Sequence, residues 1–399
     1  MKLLNTAVKN KVLESMISIL DEERHTILEA NKKDCELFDK DDQALYDRLV
    51  VDSKKVDGMI TSVKEVLQQE DPVGKIKSDR ILDNGLEIKN KTAPFGTIMI
   101  IYESRPDVTI EAAVLAFKAN NKILLKGGKE AFRSNKVLET CWHRALEENG
   151  LATDWIRLLS MNRQETQEFL KNPPEKLDLI VPRGGERLIA FVKEHAQCAV
   201  LVSGRGNNFL YVHRDADWQK SLEVILNAKT HKISACNALD KILIDTALPD
   251  YGIKLKELEN FLTKHGVAVL VDSKTATVLK DSPKIKDESV WQEEFLAMKC
   301  CIGSVTGLED AIEKINRYSG GHSTTIMTSN EAAAMTFMEQ VDAAAVYHNA
   351  STRFTDGGAM GVGAELAIST DKLHHRGPLG LEQLVTNKYY VYGDGQVRV

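Results

Sequence analysis

The stretch Thr97-Ile-Met-Ile-Ile-Tyr-Glu-Ser-Arg-Pro-Asp-Val-Thr-Ile-Glu-Ala-Ala-Val-Leu-Ala-Phe-Lys-Ala-Asn-Asn-Lys-Ile-Leu-Leu-Lys-Gly-Gly128 carries the pattern that decides the fold. Thr97 to Tyr102 is a run of strand length that ends in the polar loop Glu103-Ser104-Arg105-Pro106. A helix is expected next, with Asp107 as its cap and Ile110, Ala113, Val114 and Phe117 recurring at helical spacing to make one apolar face. A second strand, Lys122 to Lys126, then meets Gly127-Gly128 and a long helix ending near Gly150. The alternation continues from Gly96 to about Val212, which predicts an α/β fold with a mainly parallel sheet and helices on its faces.

Two junctions in this region point to a ligand. Lys126 runs into Gly127-Gly128, and Leu177-Asp-Leu-Ile-Val-Pro-Arg183 runs into Gly184-Gly185 and a helix from Glu186. Glycines where a strand turns into a helix let backbone N–H groups approach phosphate oxygens at the positive helix end. A nucleotide diphosphate is the natural occupant. Neither junction fits G-x-G-x-x-G, so the pair of junctions, rather than either alone, carries the reading.

Working outward, residues 1 to about 70 are helical in pattern and stop at Asp71-Pro72-Val73-Gly74. Asn84-Gly85 between two alternating runs predicts a hairpin, either an oligomerisation arm or a plain surface hairpin. On the other side, Asn227-Ala-Lys-Thr-His-Lys-Ile-Ser-Ala-Cys-Asn-Ala-Leu-Asp-Lys-Ile-Leu-Ile244 puts Cys236 in a polar turn at the rim of a short buried strand. Lys229, His231 and Lys232 precede it, and nearby positive charge favours the thiolate that a cysteine nucleophile needs. The other cysteines fall in helical or strand-like runs, Cys300 and Cys301 in the apolar run from Phe295. A second alternating block to about Asn349 predicts a second α/β domain. It ends in a polar, glycine-rich segment from Asn349 to Glu365 that holds Arg353 and Asp356 and reads as a loop for a polar ligand.

The chain has 399 residues, 43% hydrophobic and 28% charged, with a net charge of −6. That length predicts two or three domains, and the acidic balance supplies no basic field for nucleic acid or an anionic membrane. No signal-peptide core or membrane-length apolar run is seen. Six scattered cysteines without metal-like or disulfide-like spacing predict no metal site and a reducing cytoplasm.

The runs Ile101-Tyr-Glu-Ser-Arg-Pro-Asp-Val-Thr, Leu125-Lys-Gly-Gly-Lys-Glu-Ala, Val181-Pro-Arg-Gly-Gly, Ala235-Cys-Asn-Ala-Leu, Ile315-Asn-Arg-Tyr-Ser-Gly-Gly-His, Asn349-Ala-Ser-Thr-Arg-Phe-Thr-Asp-Gly-Gly and His375-Arg-Gly-Pro-Leu-Gly-Leu-Glu together resemble the γ-glutamyl phosphate reductases, a branch of the aldehyde dehydrogenase superfamily. The resemblance covers nearly the whole chain. It implies an aldehyde dehydrogenase-like fold: a Rossmann-type NADP-binding domain over 1–78 and 97–215, an α/β catalytic domain with the nucleophilic cysteine over 216–360, and an oligomerisation hairpin and C-terminal strand over 79–96 and 361–399. The implied reaction is NADPH-dependent reduction of L-glutamyl 5-phosphate to L-glutamate 5-semialdehyde in proline biosynthesis. A homo-oligomer is implied, and because the chain holds no kinase domain, a separate glutamate 5-kinase must supply the acyl phosphate.

By position, the resemblance implies Cys236 as nucleophile. It matches Lys126, Gly127, Gly128 and Glu130 to the superfamily's Lys-Pro-Ser-Glu segment at the adenosine ribose, and Glu294 to the glutamate on the nicotinamide ribose. Arg183, Gly184 and Gly185 at the second junction are the remaining cofactor candidates. Arg105 falls where hydrolytic relatives keep an oxyanion-hole asparagine, and serves either the oxyanion or the phosphate. Charge complementarity assigns Arg353 and Asn349 to the α-carboxylate and Asp356 or Glu103 to the ammonium, while His322 after Gly320-Gly321 is either a further substrate contact or a structural histidine. Val202 falls where hydrolytic relatives carry the glutamate that activates water, so the resemblance implies that this base is missing, as a phosphorylating enzyme requires. One departure stands out: the reductases show Gly-x-Cys-His-x-Tyr-Val-Asp where this chain has Gly206-Asn-Asn-Phe-Leu-Tyr-Val-His213.

Overall fold

In the computed structural model, which describes residues 2–38 and 43–398, the hairpin expected at Asn84-Gly85 is the first β-structure of the chain. Strands β1 (Ile76–Ile81) and β2 (Glu87–Pro94) pair antiparallel, and Gly85 takes φ +86° in the turn, a conformation glycine reaches without strain. Next come β3 (Thr97–Tyr102), β4 (Lys122–Lys126), β5 (Ile156–Leu158), β6 (Leu179–Arg183) and β7 (Ala199–Val200). These five form one parallel sheet in the spatial order β5-β4-β3-β6-β7. Counted from β3 this is the doubly wound order, which reverses direction between β3 and β6. Ligands of such sheets bind past the carboxyl ends of the strands at that switch point.

Both faces of this sheet are covered, which is why β3 reads as an unbroken apolar run rather than an alternating one. Ile98, Ile100 and Tyr102 pack into one buried cluster, while Met99 and Ile101 pack on the other side with Leu124, Ile180 and Val192. The helix Pro106–Lys118 corrects two expectations. It is buried nearly all round rather than on one face, because helices Thr6–Glu22, Ser53–Gln68 and Phe132–Glu148 pack about it. Its cap position is Arg105, not Asp107, and Pro106 opens it, since proline has no N–H to leave unpaired and its φ already suits the first turn. Asp107 sits in that first turn, where its charge complements the helix dipole.

The second half of the chain builds β8 (Asn208–Val212), β9 (Leu239–Asp245), β10 (Ala268–Val271), β11 (Lys299–Val305), β12 (Ser323–Met327) and β13 (Ala345–His348). All run parallel in the order β10-β11-β9-β8-β12-β13. Alternation again divides the strands: Leu210, Val212, Ile242 and Ile244 enter one core cluster, Phe209, Tyr211 and Leu243 the other. Helix Tyr251–Lys264 follows β9, and Cys300 and Cys301 are buried in β11. A small antiparallel pair, β14 (Ile368–Ser369) and β15 (Gly377–Pro378), precedes β16 (Val385–Tyr392), which pairs along β2 to complete a three-stranded sheet. The chain thus resolves into two units, Met1–Val202 with Gly361–Ala367 and Leu379–Val399, and Ser203–Met360 with Ile368–Pro378. Among the described residues, no helix is long and apolar enough to cross a membrane.

One ion pair in the second unit is buried. The Lys229 ammonium, at the end of helix Trp218–Thr230, bonds Asp240 Oδ1 at 2.8 Å, and these residues are 0% and 2% exposed. Asp240 Oδ2 also accepts the Phe295 N–H at 2.8 Å. Removing one partner strands the other charge, so Lys229→Ala is expected to lose about 3–5 kcal/mol in urea denaturation. A loss below about 1 kcal/mol, the value of an exposed pair, would contradict that burial.

Candidate active site

Cys236 lies half-buried in the turn between helix Trp218–Thr230 and β9, just before the amino end of that strand. Its carbonyl points into a buried knot of hydrogen bonds. The Asn208 amide nitrogen donates to the carbonyls of Gly206 and Cys236, each at 2.8 Å, and of Ala238 at 2.7 Å, while its amide oxygen accepts the Ser323 N–H at 3.0 Å. Asn207 stitches the neighbouring segments: it donates to the Trp291 and Tyr318 carbonyls at 2.8 Å and accepts the Gly320 N–H at 2.7 Å. Both side chains are buried, where a satisfied polar network fixes one arrangement of the chain. Gly206 is required for space. A Cβ there would overlap the Cys236 carbonyl and stand 2.6 Å from Glu294 Oε1, so its absence lets Glu294 approach the cysteine loop.

Asn237 ties the far side of the same loop. Its amide nitrogen donates to the carbonyls of Arg353 at 3.2 Å and Thr355 at 2.9 Å, and Thr352 Oγ1 donates to its own carbonyl at 2.7 Å. These bonds bring Arg353 to the cysteine. Its Nε donates to His231 Nδ1 at 3.4 Å, and its Nη1 is buried without a hydrogen-bond partner. Burial lowers the guanidinium below its ordinary value, while charge on Cys236 and on Asp356 acts to raise it. Arg353 is thus a cation of the loop joined to Cys236. Lys229, expected to favour the thiolate, is committed to Asp240, and Lys232 is exposed.

The other candidates in this unit separate. His322 is buried with Nδ1 sharing a 2.7 Å hydrogen bond with Ser323 Oγ and Nε2 lacking a partner, and burial pushes it down to about 4, so it is neutral. Asn349 follows the carboxyl end of β13, the edge opposite to Cys236, and takes φ +54°. Its amide is occupied at both ends, accepting the Thr328 N–H at 2.9 Å and donating to the Thr328 carbonyl at 2.8 Å. Asp356 is exposed and accepts the Ala359 N–H at 3.1 Å.

In the first unit the junctions after β4 and β6 open onto the switch point. None of Gly127, Gly128, Gly184 and Gly185 has a positive φ, so what they supply is space. A Cβ on Gly127 would stand 3.1 Å from the Tyr102 ring, one on Gly128 2.6 Å from Glu130 Oε2, and one on Gly184 2.7 Å from Glu103 Oε1. Glu103 also accepts the Gly185 N–H at 3.2 Å and lies 3.6 Å from Arg48, so a carboxylate already faces the helix that Gly185 opens. Arg105 is paired with Asp107 at 2.7 Å. Burial would raise the Asp107 carboxyl, but Arg105, with Lys55 and Arg183, holds it below the usual range. Arg183 is itself lowered, by burial and then by Arg105, and lies 3.9 Å from Glu111.

A cavity of about 360 Å³ lies at the first junction, lined by Lys126, Gly127, Gly128, Lys129, Arg133 and Asn135 among others. Lys129 lines it and Glu130 does not; the Glu130 carboxylate accepts from Ser104 Oγ at 3.4 Å instead. Three cations with no carboxylate among the lining residues suit a phosphate-bearing group, so the residues present fit a nicotinamide dinucleotide phosphate at its adenosine end.

Comparisons with known proteins bear on the family and the fold. A model described as the aldehyde dehydrogenase family matches residues 273–365. The gamma-glutamyl phosphate reductase of a Nitratiruptor species is 43% identical over 397 residues, covering 99% of this chain and 96% of that one. The chain belongs to the γ-glutamyl phosphate reductase family. The crystal structure of the gamma-glutamyl phosphate reductase from Thermotoga maritima matches with a TM-score of 0.93 at 40% identity, covering 99% of this chain and 95% of that one. The fold extends to a glyceraldehyde-3-phosphate dehydrogenase from Methanocaldococcus jannaschii solved with NADP, with a TM-score of 0.68 at 15% identity over 98% of this chain and 91% of that one. The chain is thus an oxidoreductase with the α/β fold of the aldehyde dehydrogenases, as its motifs imply.

The departure from the reductase pattern is absorbed by packing. Asn208 takes the cysteine position and holds the catalytic-loop candidate, Phe209 takes the histidine position and stacks on Trp291 at 6.3 Å between centroids, and His213 shares a 3.0 Å hydrogen bond with Thr328 Oγ1. Val202 is a buried aliphatic side chain. The departure at Asn207-Asn208 is visible in the sequence but the organising role of Asn207, Asn208 and Asn237 is not, because most of their partners are backbone atoms remote in the chain.

The buried His322 gives a test by pH. Its folded pKa lies below the unfolded value of 6.5, so the unfolded chain binds more protons between pH 6.5 and about 4, and stability falls as pH drops through that window. The full effect is about 3 kcal/mol. His322→Gln is expected to flatten the slope of stability over that window relative to wild type. Parallel slopes in the two proteins would show that His322 is not held neutral.

Proposed function

We propose that this chain reduces L-glutamyl 5-phosphate to L-glutamate 5-semialdehyde and phosphate with NADPH, through a thioester on Cys236. The observation that carries the reading is the cysteine itself: half-buried, in a loop fixed from both sides, with a partly buried Arg353 beside it. A cation close to a thiol favours the thiolate, the form that attacks. The Cys236 sulfur bonds to the acyl carbon, the carbon–oxygen bond to phosphate breaks, and phosphate leaves with the electron pair. NADPH, when bound, supplies the hydride that reduces the thioester carbonyl. Collapse of the resulting thiohemiacetal returns the thiolate and frees the aldehyde. Phosphate departs as an anion and asks no strong acid of the protein.

Role by role, we assign Lys126, Gly127 and Gly128 to the adenosine end of the cofactor and add Lys129, which lines the cavity in place of Glu130. Arg183, Gly184 and Gly185 remain the candidates at the second junction, and Glu294 the candidate for the nicotinamide ribose. Arg105 is assigned to the phosphoryl or oxyanion group, with Asp107 orienting its planar fork. Asn349 and Glu103 are already engaged by Thr328 and by Gly185, which favours Arg353 and Asp356 for the glutamyl end. We further propose that residues 79–96 and 361–399 mediate self-association, since β1 and β16 carry exposed Ile76, Ile81, Tyr389 and Val391. A buried valine at 202 provides no base for water, so the thioester awaits phosphate or hydride.

Two measurements test this. Cys236→Ser is expected to abolish turnover while retaining NADPH binding, and wild-type oxidation of the semialdehyde should require inorganic phosphate. Oxidation at one rate with and without phosphate would establish a hydrolytic enzyme instead. Charge reversal at Lys129 addresses the cofactor: Lys129→Glu should weaken NADPH binding by about tenfold or more, the value of a charge-assisted hydrogen bond, and leave NADH binding nearly unchanged. Equal losses for both nucleotides by fluorescence titration would remove Lys129 from the site.

A further inference from the structure

We infer that Asn208 is a positioning residue for the nucleophile: its side-chain amide sets the orientation of the Cys236–Asn237 peptide and thereby the direction in which the Cys236 sulfur projects. The geometry that points there is convergent. Three carbonyl oxygens, of Gly206, Cys236 and Ala238, crowd one amide nitrogen within 2.7–2.8 Å. An amide nitrogen has two hydrogens to share among them. Without it, three negative carbonyl ends would face one another in a buried place and would have to turn apart. The Cys236 carbonyl is among them, and the peptide is planar, so turning that oxygen rotates the backbone that carries the thiol.

The anchor is itself rigid. Asn208 is the first residue of β8, is 1% exposed, and its oxygen is held by the Ser323 N–H at the start of β12. A carboxylate could not replace it, because its oxygens would oppose three carbonyls. A single hydroxyl or thiol donor could satisfy only part of the set. Gly206 makes the approach possible, since any Cβ there would meet the Cys236 carbonyl.

The inference rests on Cys236 as the proposed nucleophile, but its test does not depend on turnover alone. Asn208→Ala and Asn208→Ser are compared with wild type and with Leu255→Ala, a buried core truncation in helix Tyr251–Lys264 that lowers stability without touching the loop. The rate of Cys236 alkylation by iodoacetamide is followed across pH at the peptide level by mass spectrometry, together with kcat and KM. Asn208→Ala is expected to change the pH profile of Cys236 alkylation and to lower kcat by about 100-fold with KM little changed, the size of effect of a reacting group misplaced by about 1 Å. Asn208→Ser, which keeps one donor, should fall between it and wild type, and Leu255→Ala should keep the wild-type profile. Should Asn208→Ala fail to fold, Asn208→Ser alone decides by the same readouts. A wild-type alkylation profile and kcat in the folded Asn208 variants, or losses that match those of Leu255→Ala, would overturn the proposal. Activity surviving Cys236→Ser would instead refute the nucleophile while leaving the alkylation result to judge Asn208.

Discussion

The second unit depends on satisfying backbone groups where parallel strands begin. At the amino ends of β8, β9 and β12 the chain enters the sheet from loops, and the carbonyls and N–H groups of those loops have no ladder partner. Left buried and unpaired they would each cost about 1–3 kcal/mol. Asn207, Asn208 and Asn237 supply the partners, and each amide uses both a donor and an acceptor or two donor contacts to backbone of a different segment. A loop held this way has one conformation, as the proposed nucleophile would need to meet an acyl carbon at one angle.

Much of this fold was legible in the sequence, and the reason is periodicity. The runs Thr97 to Tyr102 and Lys122 to Lys126 and the Asn84-Gly85 turn each answer to local rules, strand length and turn chemistry. Cys236 was legible for the same local reason, a cysteine in a polar turn at a strand's rim. What escaped is nonlocal. That Lys229 is spent on Asp240, and that Arg353 returns 117 positions later in the chain to stand beside Cys236, depends on which loops the sheet order brings together. The all-round burial of helix Pro106–Lys118 escaped too, since burial of Ala112, Leu115 and Ala116 on its other face depends on helices from elsewhere in the chain.

The glycines make a related point about motif reading. Gly127, Gly128 and Gly184 look like phosphate-loop residues because the sequence reports only that a side chain is missing. In the structure each has an ordinary backbone conformation and a side chain of its own unit pressed against it, Tyr102, Glu130 or Glu103. Close packing and close approach of a ligand are met by the same residue, so the motif alone cannot divide them. At the second junction the divide is visible, because Glu103 occupies the position an anion would seek at the start of helix Glu186–His195. At the first, the cavity is left to three cations, and the sign of the lining identifies the class of group it suits.

The two sheets use opposite edges, and electrostatics explains what each edge must add. Past the carboxyl ends of β3, β4 and β6 come helix starts, whose N–H groups favour anions, and after β6 the Glu103 carboxylate already answers one of them. Cys236 instead lies at the amino edge of its sheet, six residues after helix Trp218–Thr230 ends. A helix end presents carbonyls and partial negative charge, which does nothing to favour a thiolate. For the thiolate proposed on Cys236 the positive charge would have to come from a side chain held close, since attraction between charges is weakened wherever water can enter. Arg353 meets both conditions. Its own backbone carbonyl is tied to Asn237, the residue after the cysteine, so the backbone segments that carry the cation and the thiol are joined.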